Sequence, residues 1–342
     1  MHTQNQNLEY MAIYITGAAG YVGSHVVKEF MKYNSKELVL IDSMENGIRR
    51  NLPKNLDVHD IDVGDLPSMQ KLFAKYQPEA ILHFAAYIQV EESTKNPLRY
   101  YRNNLGNLVN LLDAASQYGL QKFIFSSTAA VYGNAQVGRM LESGEKIPVS
   151  PYGWSKLMAE QVLADAARAN HFKAIALRYF NVAGADIGGK IGQLSQGATH
   201  LFKLACEVAT GRRAKLSILG DDYLTRDGTG VRDYIHVDDL AYAHLAGLNY
   251  LDRQDEAFDV FNVGYGNGYS VMEVVQAFSC ALGRALPYEI TSRRSGDLAE
   301  VVADNAKILK AFDWAPKYED INIIVKSALD WEIKAKELGL RS

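Results

Sequence analysis

Apolar and polar positions along this chain fall into short runs that alternate in period. Residues 12–16 (A-I-Y-I-T) form an unbroken apolar run of strand length, and S-H-V-V-K-E-F-M directly after Gly23 changes to helical spacing. Further strand-like runs follow: E-L-V-L-I before Asp42, D-V-H-D-I near Asp62, A-I-L-H-F to Phe84, F-I-F-S-S to Ser127 and A-I-A-L-R-Y-F to Phe180. Strand and helix in repeated alternation predict an α/β protein on a doubly wound parallel sheet, with ligands at the carboxyl ends of the strands. Asp62, Phe84, Ala85, Thr128 and Tyr179 then stand at such ends, while His83, inside an apolar run, reads as a satisfied core histidine. After Asn181 the pattern loosens into a glycine-rich stretch, which predicts a domain boundary. The division expected is an N-terminal extension over 1–11, a dinucleotide-binding domain over 12–181, and a smaller substrate domain over 182–342, some of whose segments return to the first.

The first strand runs straight into G-A-A-G-Y-V-G, with Gly17, Gly20 and Gly23 between strand and helix. Glycines there permit a tight turn and close backbone approach, and the helix N-terminus offers free N–H groups to a pyrophosphate. Asp42 closes the next strand nineteen positions beyond Gly23, where a Rossmann-type fold places an acid on the adenosine ribose. A carboxylate there repels a 2′-phosphate, so NAD is expected over NADP.

Residues 126–156 open S-S-T-A-A-V-Y-G and close S-P-Y-G-W-S-K, setting Tyr152 and Lys156 four apart. Ser150 and Pro151 read as N-cap and N1, so Tyr152 falls in the first turn of a helix and shares a face with Lys156. A phenol titrates near about 10 in water, too high for a base at neutral pH; an adjacent ammonium is expected to lower it. Tyr152 then has the chemistry to take a proton from a sugar or alcohol hydroxyl.

Composition adds limits. With 342 residues, 48% of them hydrophobic, the chain has material for a large core, and a net charge of −4 with dispersed Lys and Arg argues against a nucleic-acid partner. No apolar run reaches the length of a membrane span, and the opening ten residues are polar and expected to be disordered. Cys206 and Cys280 sit in helix-like apolar segments, suiting two buried thiols in a reducing cytoplasm. No metal site is suggested. Arg232 and Arg294 fall in expected loops; flanking one cleft, they would make a bidentate clamp for a diphosphate.

T-G-A-A-G-Y-V-G-S-H, H-F-A-A, F-S-S-T-A-A-V-Y-G, S-P-Y-G-W-S-K, R-Y-F-N-V-A-G-A and D-G-T-G-V-R-D-Y-I-H-V-D-D-L stand in order, and with them the chain resembles the extended short-chain dehydrogenase/reductase family over about residues 12–335. The last motif is the most specific; it points to members that invert C4 of a UDP-hexose. The resemblance implies reversible epimerisation between UDP-glucose and UDP-galactose through a 4-keto sugar, on tightly bound NAD. It matches Thr128, Tyr152 and Lys156 to the catalytic trio, the last two also meeting NAD. Around NAD it places Tyr21, Val22, Asp42, Ser43, Asn46, Asp62, Val63, Phe84, Ala85, Asn103, Tyr179 and Phe180 beside the three glycines. Asn181, His200, Leu201, Ser217, Leu219, Arg232, Arg294 and Asp297 match positions that hold UDP.

Two departures bear on this reading. Ile88 stands where some relatives carry a lysine that reaches the cofactor. Val301, four beyond Asp297, stands where such enzymes have a gating tyrosine, which implies a hexose pocket open to the N-acetyl group of UDP-GlcNAc or UDP-GalNAc; the alternative is a strand residue packed on the core. The resemblance further implies a homodimer, paired through residues 105–115 and the helix that begins near Tyr152. The alternatives are a UDP-pentose epimerase or a 4,6-dehydratase of the same fold, the latter of which would carry an acid pair where this chain has Ala129 and Ala130, and a non-catalytic NAD sensor, which would be expected to lose Tyr152 or Lys156.

Overall fold

The computed structural model describes residues 10–33, 36–135, 138–194, 199–293 and 297–340. In chain order the first strands are β1 (Tyr10–Thr16), β2 (Glu37–Asp42), β3 (Val58–Asp60), β4 (Tyr76–His83), β5 (Lys122–Thr128), β6 (Arg139–Met140) and β7 (Lys173–Tyr179). Then come β8 (Asn181–Ala183), β9 (Leu216–Leu219), β10 (Val231–His236), β11 (Phe258–Val263), β12 (Gly268–Ser270), β13 (Tyr288–Thr291) and β14 (Glu300–Ala303).

Seven strands form one parallel sheet in the order β3-β2-β1-β4-β5-β7-β11. Its two faces follow the strand period of two. Ile13, Ile15, Leu40, Leu82, Ile124 and Ile175 point to one face, covered by the helices Tyr21–Tyr33 and Val237–Arg253. Tyr14, Val39, Ile41, Ile81, Phe123 and Phe125 point to the other, covered by the helices Leu66–Lys75, Asn107–Gln117 and Pro151–Asn170. Burial on both sides explains why these strands read as continuous apolar runs rather than alternating ones. The strand order reverses between β1 and β4, and a ligand crevice opens at such a switch point.

A second sheet runs β12-β10-β14-β6, with β8 added on β10, and β9 pairs with β13 alone. Only Phe180 separates β7 in the large sheet from β8 in the small one, so the chain crosses between layers at one residue. The exchange is mutual. β6, from the first half, closes the edge of the small sheet, while β11 and the helix Val237–Arg253, from the second half, complete the large layer.

Three expectations are corrected. Tyr10 and Met11 belong to β1 rather than to an extension, because Met11 pairs in register with Gln77 on β4. Arg232 lies in β10 rather than in a loop, held between β12 and β14. Cys206 is buried but Cys280 is exposed: it lies near the end of the helix Val271–Leu282, whose core side carries Val274, Val275, Ala277 and Phe278. Among the described residues no helix is long and apolar enough to cross a membrane, and no cluster of His, Cys, Asp and Glu is arranged to hold a metal ion.

Candidate active site

The glycine turn after β1 is built against the end of β4. Gly17 has φ +66, and a Cβ on it would stand 2.7 Å from the Ala85 nitrogen; one on Gly23 would stand 2.2 Å from the Gly17 carbonyl oxygen. No side chain fits either place, and the bare main chain forms a cradle of the kind a pyrophosphate occupies. Asp42, buried at the end of β2, accepts from the Ala19 N–H at 2.9 Å and from the Met44 N–H at 2.9 Å, which ties the turn to the next loop. Burial raises its carboxyl pKa and those N–H groups pull it back. Two acceptor positions on the carboxylate stay free for ribose hydroxyls. The residues fit a dinucleotide without a 2′-phosphate.

The rest of the groove is a mixed set. Ser43 and Asn46 are exposed beside Asp42, Val63 is buried, and Asp62 accepts from the Gly64 N–H and from Asn107. Asn103 donates to Asn104 at 3.0 Å. Phe84 lies 4.8 Å from the His244 ring, and His244 hydrogen-bonds Tyr179, which with Phe180 is buried. Val22 is half-buried on the core. Tyr21 gives its hydroxyl to the Gly184 carbonyl at 2.6 Å, leaving its main chain for the groove. Ile88 is exposed.

On the helix Pro151–Asn170 the Ser150 hydroxyl caps the Gly153 N–H at 3.2 Å, which fixes Tyr152 in the first turn. Lys156, 2% exposed, donates to the Ser126 carbonyl at 2.7 Å and lies over the Phe125 ring. Thr128, at the end of β5, hydrogen-bonds the Tyr152 phenol and accepts from the Ala130 N–H. Thr128 and Tyr152 thus meet at the end of β5, and Lys156 is held two residues earlier on the same strand.

Their electrostatics differ from expectation. Burial raises the Tyr152 phenol, and the bond from Thr128 draws it part of the way back. Burial also pushes Lys156 down to about 7, with the Glu160 carboxylate one turn on opposing it. The expected lowering of Tyr152 by Lys156 is absent: burial raises the phenol, and only Thr128 draws it back. His83 is a core residue: its Nδ1 is 2.8 Å from the Thr16 hydroxyl, and burial, then Lys156, brings it down to about 3.

The small sheet carries the other expected residues. Arg232 pairs in register with Val301, which packs half-buried with Val131, Tyr132, Met140 and Phe180. Arg232, Arg293 and Asp297 all act on Tyr223, and the Arg293 guanidinium lies 3.9 Å over that ring. Arg294 lies outside the described residues. Ser217, exposed on β9, donates to Glu289; Leu219 is half-buried and Asn181, exposed, opens β8. His200 precedes the helix Leu201–Ala209, where Leu201 is half-buried, and lines a small cleft with Tyr21, Gly184 and Trp331. Sequence reasoning missed Tyr223 and Arg293, though Arg293 is the first of the R-R pair. It also missed Glu160, whose signal was a second step of four, continuing the spacing of Tyr152 and Lys156.

A dinucleotide cradle facing a Tyr–Lys pair and a strand-end threonine defines an enzyme that transfers hydride at a hydroxyl-bearing carbon. The family described as NAD dependent epimerase/dehydratase matches residues 13–264, and the chain belongs to it. It is 43% identical to a UDP-glucose 4-epimerase of Azospirillum brasilense over 94% of this chain and 91% of that one. Among solved structures it resembles the UDP-glucose 4-epimerase of Bifidobacterium longum in complex with NAD+ and UDP (TM-score 0.88, 35% identity, 95% and 99% of the two chains). It also resembles the UDP-Glc/GlcNAc 4-epimerase of Campylobacter jejuni (TM-score 0.83, 45% identity, 95% and 99%).

Proposed function

We propose that this protein inverts C4 of a UDP-hexose, interconverting UDP-glucose and UDP-galactose, on NAD that it keeps tightly bound. The observation that carries this is the meeting of Thr128 and Tyr152 at the end of β5, with Lys156 held two residues earlier on that strand, one strand from the switch point of the large sheet. Gly17, Gly20 and Gly23 hold the pyrophosphate of the cofactor, and Asp42 its adenosine ribose. Bound NAD supplies the acceptor and then the donor of the C4 hydride, so the sugar passes through a 4-keto form that turns its other face. Tyr152 removes the proton from the 4-hydroxyl and returns one, Thr128 orients that oxygen, and Lys156 holds the phenolate. Arg232, Asp297, Arg294, Asn181, His200, Leu201, Ser217 and Leu219 hold UDP. Elimination of water is disfavoured because Ala129 and Ala130 follow Thr128, with no acid to drive it.

The chain acts as a homodimer in the cytoplasm. Val109, Trp154 and Met158 are exposed on the two helices that resemblance assigns to pairing, and that apolar area suits a helix bundle with a second copy. Val301 in place of a tyrosine supports turnover of UDP-GlcNAc as well, in keeping with the relative named for both sugars.

The test is product analysis with UDP-glucose and no added NAD+, alongside mass spectrometry of the denatured protein for released NAD. Galactose-configured product and one dinucleotide per chain are expected. A protein that carries NAD but leaves UDP-glucose unchanged would be a sensor, and one that yields a 4-keto-6-deoxy sugar would be a dehydratase.

A further inference from the structure

A buried charge cluster lies one turn beyond Lys156, and the reaction as described does not use it. Glu160, 4% exposed, receives a two-pronged bond from Arg178 on β7: Nε to Oε1 at 2.9 Å and Nη2 to Oε2 at 2.6 Å. The same Oε1 accepts from the Ser127 hydroxyl at 2.5 Å. Arg178 also donates to the Tyr132 hydroxyl at 3.0 Å, and Tyr132 to Asn262 at 2.5 Å. Ser127 and Arg178 are register partners on β5 and β7, so both side chains leave the same face of the sheet, toward the helix that carries Tyr152.

The placement has a mechanical consequence. Ser127 lies between Ser126, whose carbonyl holds Lys156, and Thr128, whose hydroxyl meets Tyr152. Glu160 grips that middle residue from the helix that bears the Tyr–Lys pair. Helix and strand end are thereby locked in one register at the reacting centre. We propose that Glu160 is a positioning residue for the Tyr152 and Lys156 pair, acting through Ser127 and Arg178 on the end of β5.

It has an electrostatic consequence too. The charged or titratable groups facing Lys156 are Glu160 on its own helix and His83 on β4; those facing Glu160 are Arg178 on β7, Lys156, and Lys146 in the loop after β6. Glu160 is the one anion named among them, and it favours the ammonium form of Lys156 against burial. Without its charge Lys156 loses its proton at lower pH, and the buried Arg178 is left uncompensated.

This inference rests on the epimerase reading. The test uses the full chain with its own NAD and UDP-glucose as substrate, comparing wild type, Glu160→Gln and Ser127→Ala. Glu160→Gln keeps the shape but not the charge; kcat is expected to fall about tenfold or more with KM little changed. Its alkaline limb in the kcat profile is expected about one pH unit lower. Ser127→Ala cuts the grip alone and is expected to lower kcat several-fold without moving that limb. A Glu160→Gln enzyme that retains NAD and whose pH profile lies on that of the wild type overturns the proposal. If Glu160→Gln does not fold, Ser127→Ala decides, and wild-type kcat in that variant overturns it. A wild type that leaves UDP-glucose unchanged sinks the epimerase reading instead.

Discussion

Arg232 and Val301 are direct register partners across β10 and β14, so the guanidinium assigned to the diphosphate and the valine assigned to the sugar pocket leave the same face of one sheet. The distance between phosphate and sugar recognition is thus set by a single strand pairing rather than by loops. Val301→Tyr is therefore expected to fill the space beside Arg232 without displacing it. Overpacking an acetamido group against the new ring costs about 1–3 kcal/mol, roughly ten- to a hundred-fold in discrimination. UDP-GlcNAc turnover should fall by that factor with UDP-glucose turnover largely kept. Conversion read by NMR at C4 checks it, and a wild type inactive on UDP-GlcNAc at matched concentration would place the gate elsewhere.

Tyr152→Phe deletes one hydroxyl at a helix start whose cap, Ser150, is untouched. Turnover is expected to drop at least about 10²-fold, the loss typical of a positioned acid–base group, with NAD still bound. Near-normal turnover in that variant would shift the base to Thr128.

Lys156→Ala removes the buried amine one helical turn from Tyr152 while burial continues to hold the phenol up. The variant should be slow at neutral pH and gain rate as pH rises, because bulk hydroxide then ionises the phenol that burial holds up. A flat pH profile would show that Lys156 acts only on binding.

Gly23→Ala places a methyl 2.2 Å from the Gly17 carbonyl oxygen, whereas on Gly20 the nearest atom is at 3.1 Å. The first should deform the turn, cost about 1–3 kcal/mol of stability and release NAD on purification. Gly20→Ala should do much less. Dinucleotide content per chain, read from absorbance after denaturation, distinguishes them.

Acid should destabilise the fold well above the range of ordinary carboxylates. Burial brings His83 down to about 3 and His236 and His244 to about 4, while the unfolded chain binds those protons near pH ~6.5. Folded pKa values below the unfolded ones mean that stability is full above pH ~6.5 and is lost as pH falls toward the folded values. Asp233, pushed up to about 6 by burial, works in the opposite sense but is one proton against three, and the raised Asp42 and Asp239 add to it at lower pH. Urea midpoints of the NAD-loaded protein should be lower at pH 4.5 than at 6.5. Equal midpoints would mean that the carboxylates cancel the histidines.

What was legible in the sequence was local. The glycine turn, Asp42 and the Tyr152–Lys156 pair are set by strand and helix periods within a few residues: the turn follows β1, Asp42 ends β2, and the pair opens the helix Pro151–Asn170. Pairings between distant segments leave no such mark. Arg232 read as loop because the partners that make β10 a strand, β12 and β14, lie far along the chain. Cys280 read as buried because apolar neighbours do not tell which side of a helix meets the core. The drop in Lys156 to about 7 follows from complete burial, which a spacing of four does not report.

The arrival of β11 from residues 258–263 to pair with β7 sets a rule for how this chain is made. Until the ribosome has passed that point, the A-I-A-L side of β7 is an open edge of a sheet, ready to accept any extended strand. Both the small sheet and the large one must also wait for segments from opposite halves, which raises loop-closure cost and slows folding. Chains stopped between residues 180 and 258 are therefore expected to yield insoluble self-associated material rather than a free nucleotide-binding unit.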